Sequence, residues 1–264
     1  MYPTKYHKPA SISEAVAALS SGEDAILLAG GQTLIGTMKN HLAAPSDLVD
    51  IRQIDGMSGV TSEGDTLRIG AATTHSEVAA NAEVKRLCPA LAALASGIGD
   101  PAVRHMGTIG GSIANNDPAA DYPAGLLALG ATIVTNTREL AADDFFQGMF
   151  STALEDGEII TAVKVSAPAK AAYVKFPQPA SLYAMVGVFV ADGAAGTRVA
   201  VTGAGEDGVF RHTAMETALG ADWDSGALDG VQVGSDGLLS DLHCAADYRA
   251  SLIKTIAKRA VAAA

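Results

Sequence analysis

Residues 97–118 have the sequence GIGDPAVRHMGTIGGSIANNDP, and Asp121 closes this stretch. Its five glycines and two prolines cost backbone entropy and interrupt hydrogen-bond ladders, so it is predicted to be a long, shaped loop. Thr108 to Ser112 is short of bulky side chains, and a run of accessible backbone N–H groups forms an anion-binding concavity. A phosphate-bearing cofactor is the expected ligand, and a glycine-rich turn without a ligand is the alternative. A valine in place of Gly110 is expected to displace the phosphates and leave the chain folded.

A second glycine-rich segment lies earlier in the chain. Ala25 to Ala29 is an apolar run of strand length, and it is followed by Gly30 to Thr33 and then by Leu34, Ile35 and Met38 at helical spacing. This pattern predicts a strand, a tight turn and a helix, whose first N–H groups and positive dipole end favour a pyrophosphate. Two such segments suggest one long ligand that is held at two places.

The residues around both segments form motifs that occur in a fixed order. The first consists of AGGQTL at 29–34, Met38-Lys39 and LVDI at 48–51, and the second of TIGGS at 108–112, NDPAAD at 116–121 and PAGLLALGA at 123–131. They resemble the two flavin motifs of the medium, FAD-binding subunit of molybdenum hydroxylases, the carbon monoxide dehydrogenase and xanthine dehydrogenase family. The resemblance continues through Phe145–Gly148, Glu158–Ile160 and Lys175-Phe176, and therefore covers essentially the whole chain.

This resemblance implies an α+β fold with FAD as the cofactor. A two-lobed FAD-binding domain of the p-cresol methylhydroxylase and vanillyl-alcohol oxidase type is expected at 1–168, with lobes of about 1–56 and 57–168. A C-terminal domain of the carbon monoxide dehydrogenase flavoprotein type is expected at 169–264, with a three-stranded antiparallel sheet and helices. The residues expected to bind FAD are Leu27, Leu28, Ala29, Gly30, Gly31, Gln32, Thr33, Leu34, Ile98, Thr108, Ile109, Gly110, Gly111, Ser112, Asp121, Ile160, Lys175 and Tyr183.

Three of these residues have alternative roles. Asp121 lies where a helix N-cap belongs, and a plain cap is the alternative to the flavin contact that the family implies. Tyr183 belongs to PASLYA, 179–184, which resembles the segment that passes the isoalloxazine ring, but it also suits a core aromatic. Lys175 corresponds to a family lysine near the cofactor, whereas a lone lysine on a surface strand is usually solvated.

Periodicity predicts the remaining elements. In the first part of the chain they are an edge strand at 4–9, a helix at 13–19, strands at 48–51, 60–61 and 67–69, helices at 74–78 and 84–95 with a break at Pro89, a helix at 122–129 and a strand at 132–135. Further on they are strands at 173–176, 183–190 and 197–201 and helices from about 213 to 219 and from 246 to the end.

Composition limits the classes of function. The 264 residues carry 18 basic and 29 acidic side chains, and the net charge of −11 disfavours nucleic acids and anionic membranes. A cysteine-ligated iron–sulfur cluster needs more thiolates than the isolated Cys88 and Cys244 supply. The two cysteines are expected to be free thiols, and residues 1–6 have no signal-peptide core. The sequence also has no long apolar run, so we expect a cytoplasmic protein without membrane insertion.

Other motifs indicate no chemistry within this chain. Gly203-Ala204-Gly205-Glu206-Asp207-Gly208 matches the dinucleotide pattern GxGxxG, but Glu206 and Asp207 would place carboxylates against a pyrophosphate, so a tight turn between a strand and a helix is expected. His75 and His105 lack the spacing of a metal site, and no serine lies in a GxSxG elbow. No catalytic residue and no metal ligand is therefore assigned.

The family resemblance implies an electron-transfer subunit. Electrons would pass from the [2Fe–2S] clusters of a small subunit to FAD and on to an external acceptor, after a large molybdopterin subunit has oxidised the substrate. We expect a heterotrimer that is doubled into a dimer of heterotrimers, in which the large subunit determines the substrate. The alternatives are a self-contained FAD-dependent oxidase or reductase of the same fold and a scaffold that has lost its flavin.

Overall fold

The computed structural model describes all residues from Met1 to Ala264. They form a three-stranded, a five-stranded and a four-stranded sheet, with helices packed around them and one short hairpin. This is the mixture of helices and sheets that an α+β fold predicts. None of the helices combines the length and the apolar character that crossing a membrane requires.

The first sheet is parallel and lies within the first 50 residues. Its strands have the order β1-β3-β2, so the predicted edge strand does lie at an edge. The first helix begins where the Ser11 hydroxyl accepts a hydrogen bond from the Glu14 N–H, and it ends before Gly22. The elements are β1 Lys5–His7, α1 Ile12–Ser21, β2 Ala25–Leu28, α2 Leu34–Lys39 and β3 Asp47–Asp50.

The second sheet is antiparallel and has the order β4-β5-β10-β6-β7. Pro89 breaks the long apolar helix as expected, because a new helix begins at this proline. The strands are β4 Val60–Glu63, β5 Thr66–Gly70, β6 Thr132–Thr135, β7 Glu139–Ala141 and β10 Ile160–Ser166, and β8 Phe146–Gly148 pairs with β9 Ser151–Thr152. The helices are α3 His75–Ala80, α4 Ala82–Leu87, α5 Pro89–Ser96, α6 Pro101–Met106, α7 Ile109–Asn115, α8 Asp121–Ala128 and α9 Ala142–Phe145.

The expectation that residues 97–118 form a long loop is wrong, because two short helices occupy most of them. Helix α6 begins at Pro101 and is capped by the Asp100 carboxylate, which accepts from the Val103 N–H at 2.8 Å. Helix α7 is capped by the Thr108 hydroxyl, which accepts from the Gly111 N–H at 3.1 Å. Proline is tolerated in the first turn of a helix, and tertiary packing offsets the low helix propensity of glycine.

The C-terminal part contains an antiparallel sheet of four strands, one more than the sequence predicts. The order is β11-β12-β13-β14, with β11 Lys170–Pro177, β12 Ala184–Gly193, β13 Gly196–Gly205 and β14 Gly208–Arg211. The GxGxxG segment is thus a turn between two strands and not between a strand and a helix, because Gly205 pairs with Gly208 across Glu206-Asp207. Helix α10 Thr213–Ala221, the 3-10 helix Ser225–Leu228 and helix α11 Ala246–Ala263 follow.

Strand β12 contributes to two hydrophobic cores. Val186, Val188 and Val190 belong to the core that includes residues of α10 and α11, whereas Phe189 and Ala191 belong to the core that extends through α8 and the antiparallel sheet of the first 168 residues. Successive side chains of a strand point to opposite faces, which explains this alternation. The C-terminal sheet is therefore buried on both faces along β12, and this joins it to the rest of the molecule.

Candidate functional site

A cavity of about 800 Å³ lies among the two glycine-rich segments and the loop that follows β11. Sixteen of the eighteen residues that the sequence analysis assigned to FAD binding line this cavity. They are the residues from Leu27 to Leu34, Ile98, Thr108, the residues from Gly110 to Ser112, Asp121, Ile160 and Tyr183. Ile109 does not line the cavity because its side chain is fully buried in the core. Lys175 does not line it either, although its ammonium group bonds to Asp121, which does.

The two glycine-rich segments touch each other through their backbones. A Cβ at Gly30 would lie 2.2 Å from the carbonyl oxygen of Met106 and 2.6 Å from the Cα of Gly107. These distances leave no room for a side chain, so glycine at position 30 is what allows the segments to meet. Two segments that are distant in sequence therefore lie side by side in the fold.

The first segment presents a run of unused backbone donors. The N–H groups of the five residues from Gly30 to Leu34 make no hydrogen bond within the protein, and this segment lines the cavity. Gly31 has φ +68°, a conformation that side chains rarely adopt. Consecutive N–H groups that open into a cavity and have no acceptor in the protein suit an anion such as a diphosphate.

The second segment differs from the sequence expectation. The N–H groups of Ile109 and Gly110 donate to the carbonyl oxygens of Thr73 and Ala71 at 3.1 and 2.8 Å, and that of Gly111 bonds to the Thr108 hydroxyl. A free run of anion-binding N–H groups is therefore absent from Ile109 to Gly111. The glycine at position 110 instead allows this segment to pack closely against Ala71, because a Cβ at Gly110 would lie 2.7 Å from the Ala71 oxygen.

Asp121 does not cap helix α8, since Ala120 occupies the N-cap and Asp121 is the first helical residue. Its buried carboxylate accepts hydrogen bonds from the Tyr173 hydroxyl and from the Lys175 ammonium group, the latter at 3.0 Å. Burial raises the pKa of Asp121, and the positive charge of Lys175 opposes that rise. The plain-cap alternative is thus wrong, and the carboxylate belongs to a buried polar network beside the cavity.

Tyr183 lies at the opening of the cavity. Its side chain belongs to a residue that is 46% exposed, which excludes the alternative of a core aromatic. Partial burial raises the pKa of its phenol, and the carboxylates of Asp117 and Asp121 act in the same direction. An aromatic face at a cavity opening can cover a planar ligand on one side.

His75 is a lining residue to which the sequence assigned no role. It is 5% exposed, its Nδ1 has no hydrogen-bond partner, and its ring lies 5.4 Å from that of Tyr122. Burial lowers the pKa of His75 to about 4, and the charge of Arg104 contributes, so the imidazole is neutral at pH 7. The only feature of the sequence that could have drawn attention to His75 was its position directly after Thr74, which caps α3.

Glu158 also lines the cavity, but its carboxylate is fully occupied by the protein. It accepts from Arg138 Nε and Nη2 at 2.9 Å each and from the hydroxyls of Thr135 and Thr137. These bonds, led by those of Arg138, lower the pKa of Glu158 to about 2. Glu158 therefore fixes the start of β10, where Ile159 and Ile160 form part of the wall.

The donor set of the cavity fits FAD. A volume of about 800 Å³ is within the range of cofactor sites, and its lining is largely apolar with unused N–H groups at Gly30 to Leu34. Side chains at Gly30 or Gly31 would clash with Met106 or Ile35, so glycine at these positions is needed for the shape of this segment. Apolar walls for ring systems and backbone donors for a diphosphate are the two features that such a ligand needs.

Comparison with known proteins agrees with this chemistry. Residues 2–168 match the family described as the FAD binding domain in molybdopterin dehydrogenase. The chain is 35% identical to the carbon monoxide dehydrogenase medium chain of Afipia carboxidovorans, covering 97% of this chain and 94% of that protein. It is 32% identical to the nicotine 6-hydroxylase medium subunit of Paenarthrobacter nicotinovorans, covering 97% and 95%.

Solved structures show the same relationship. A chain of the Cu,Mo-CO dehydrogenase in its cyanide-inactivated form superposes with a TM-score of 0.89 at 34% identity, covering 99% of this chain and 98% of that one. A chain of the carbon monoxide dehydrogenase from Hydrogenophaga pseudoflava that lacks the Mo-pyranopterin moiety gives a TM-score of 0.87 at 34% identity, covering 100% and 98%. The chain therefore belongs to the FAD-binding family of the molybdopterin dehydrogenases, the family of the molybdenum hydroxylase medium subunits.

Proposed function

We propose that this chain is an electron-transfer subunit, which takes electrons from [2Fe–2S] clusters on a small partner subunit and passes them through FAD to an external acceptor. The observation that carries the proposal is the cavity, where five unused N–H groups and largely apolar walls come together. The medium chains of carbon monoxide dehydrogenase and nicotine 6-hydroxylase, both more than 30% identical to this chain, support it.

The residues of this chain would bind and position the cofactor. Bound FAD supplies the ability to exchange electrons both singly and in pairs, and so to couple one-electron with two-electron carriers. The N–H groups of Gly30 to Leu34 would hold the diphosphate, and Ile98 and Ile160 would pack against the apolar parts. Thr108, Gly110, Gly111 and Ser112 would shape the opposite wall, with Asp121 and Tyr183 at the far side.

The proposed partners follow from what this chain lacks. Cys88 and Cys244 are both buried and free, so they do not form the thiolate set of an iron–sulfur cluster. We place the clusters on a small subunit and the molybdopterin cofactor on a large one, in a heterotrimer that dimerises. Two unpaired cysteines also support a cytoplasmic location, where thiols stay reduced.

We also propose the division into a FAD-binding domain, 1–168, with lobes of about 1–56 and 57–168, and a C-terminal domain, 169–264. One sheet lies within each of these three ranges, which supports the division. The shared packing of Phe189 and Ala191 with the larger core indicates that the C-terminal domain is closely joined to the rest.

The proposal is tested on the purified full-length chain. It should be yellow, and acid denaturation should release FAD, identified by mass spectrometry, because no covalent link is expected. The isolated chain should be reduced by dithionite but not by organic substrates of its complex, and adding the two partner subunits should restore rapid reduction by substrate.

A colourless chain that does not take up added FAD would leave only a scaffold role. If the single chain instead oxidised an organic substrate at about 1 per second or faster, the self-contained flavoenzyme would be the correct function.

A further inference from the structure

The ammonium group of Lys175 joins three separate segments beside the cavity. It donates to the carbonyl oxygen of Gly97 at 2.8 Å, to the carboxylate of Asp121 at 3.0 Å and to the carbonyl oxygen of Leu182 at 2.8 Å. An ammonium group has three donors, so all are used. With only 12% of its side chain exposed, Lys175 is held in one arrangement and is not a solvated surface lysine.

The third partner, Leu182, belongs to a compact loop, Gln178–Tyr183. Its two ends bond to each other, since the Gln178 N–H donates to the Tyr183 oxygen and the Leu182 N–H to the Gln178 oxygen, both at 2.8 Å. The Gln178 side chain accepts from the N–H groups of Ala180 and Ser181. These bonds make the loop compact, and Ser181, Leu182 and Tyr183 line the cavity.

The conformation of this loop needs an external support. Leu182 has φ +62°, which costs a branched residue about 1–2 kcal/mol. Leu182 and Tyr183 are also 37% and 46% exposed, so core packing does not hold them in place. The bond from Lys175 to the Leu182 oxygen connects the strained residue to Asp121, which is anchored in helix α8.

We propose that Lys175 is a positioning residue, which fixes the Gln178–Tyr183 loop against the opening of the cavity and so keeps Tyr183 over the bound cofactor. This rests on the proposed function only for the identity of the ligand. Lys175 acts through Leu182 and Asp121 and does not line the cavity itself. Its loss would free the loop and leave the buried charge of Asp121 without its cation.

The test compares the full chain with Lys175→Met and with Arg198→Met. Arg198 also joins two parts of the molecule, through Asp143 at 2.6 Å and the Leu127 oxygen at 3.1 Å, but none of the three lines the cavity. Hydrogen exchange of the Gln178 and Leu182 amides is measured without FAD. FAD affinity and the fluorescence of bound FAD, which a neighbouring tyrosine quenches, are measured next.

In Lys175→Met, the two amides should exchange roughly tenfold faster, bound FAD should be brighter, and its dissociation constant should rise roughly tenfold, the loss expected for charge-assisted hydrogen bonds. Arg198→Met should change none of these. Should Lys175→Met fail to fold, Lys175→Gln is measured in its place, with the same direction expected.

Unchanged exchange and unchanged fluorescence in the Lys175 variant would overturn the positioning role, as would equal changes in Arg198→Met. The failure of the wild-type chain to bind FAD would instead count against the proposed function, because the exchange measurement needs no ligand.

Discussion

Gly110 shows how the role of a single residue depends on the direction in which its side chain would point. A Cβ at this position would lie 2.6 Å from the Cβ and 2.7 Å from the carbonyl oxygen of Ala71. It would therefore clash with the residue that directly follows strand β5. The sequence could predict that a side chain is harmful here, but not whether binding or folding would fail.

We expect Gly110→Val to destabilise the fold and not merely to release FAD. Overpacking a core costs about 1–3 kcal/mol, which would lower the melting temperature by roughly 3–10 °C in a chain of this size. The matched control is Gly36→Ala, which lies in helix α2 with nothing within 4 Å of its added Cβ. Calorimetry that found the wild-type melting temperature in a Gly110→Val chain that no longer binds FAD would restore the sequence-based interpretation.

Glu158 gives the second prediction at the residue scale. The pKa of its carboxyl is lowered to about 2 in the folded chain, from about 4.3 in an unfolded one. The stabilisation is therefore present above about pH 4.3 and is lost as the pH falls through about 2. We expect Glu158→Gln to reduce the free energy of unfolding by about 2 kcal/mol near pH 7.

Urea denaturation at several pH values checks this. The difference between Glu158→Gln and the wild type should be constant from neutral pH to about 5 and shrink at lower pH. A difference that stayed the same down to pH 2 would show that the carboxylate is not the group responsible.

At the scale of elements, the sequence predicted the strands, the apolar helices and the strand, turn and helix around Gly30 well, and residues 97–118 poorly. The strand Thr132–Thr135 and the helix break at Pro89 are confirmed, because local periodicity and proline geometry determine them. Helices α6 and α7 were missed because their stability comes from caps and from contacts with Ala71 and Thr73, which are distant in sequence. Strand β14 was missed because it is short and pairs only with β13.

The candidate site was predictable to a similar degree. The motifs located most of the cavity lining, since they carry the glycines that close approach requires. The motifs did not reveal that the N–H groups from Gly30 to Leu34 are unused, whereas those from Ile109 to Gly111 are hydrogen-bonded. Whether a backbone N–H is bonded depends on acceptors in other parts of the fold, such as the Ala71 and Thr73 oxygens. Nor did the motifs show that Lys175 bonds to Asp121 across the chain.

The segment from Gly30 to Leu34 yields the prediction at this scale. Gly31 has φ +68°, and a Cβ on it would lie 2.9 Å from Ile35 Cγ1. We expect Gly31→Ala to shift the segment, to misalign its N–H groups and to weaken FAD binding roughly tenfold. The fold should persist, because the clash involves only a flexible side chain.

The matched control for Gly31→Ala is Gly56→Ala. Gly56 also has a positive φ, +79°, but it does not line the cavity and has nothing within 4 Å of an added Cβ. Both variants carry similar backbone strain. A difference in their FAD affinity, measured by titration, therefore reports the contribution of the segment to binding and not the effect of strain. Equal affinity in both variants would remove the anion-binding role from this segment.

At the scale of the whole molecule, the C-terminal sheet completes the FAD-binding part as well as its own core. Phe189 is fully buried against helix α8, where a Cβ on Gly125 would lie 3.5 Å from its ring. The Thr202 hydroxyl donates to the carbonyl oxygens of Pro118 and Ala120 at 3.0 and 2.6 Å. Lys175 provides the cation for the buried Asp121. These contacts converge on helix α8 and the segment just before it, beside the cavity.

We therefore expect the fragment 1–168 to be unstable when expressed without 169–264. Its helix α8 would expose the apolar surface that Phe189 and Ala191 cover, and Asp121 would lose the hydrogen bonds from Tyr173 and Lys175. The fragment should aggregate or melt at a much lower temperature than the full chain and bind FAD weakly, whereas co-expression with 169–264 should restore the stability and the FAD affinity.

Calorimetry and FAD titration of the fragment, the co-expressed pair and the full chain measure this. A fragment with the melting temperature and FAD affinity of the full chain would mean that the interface with the C-terminal sheet contributes little to either.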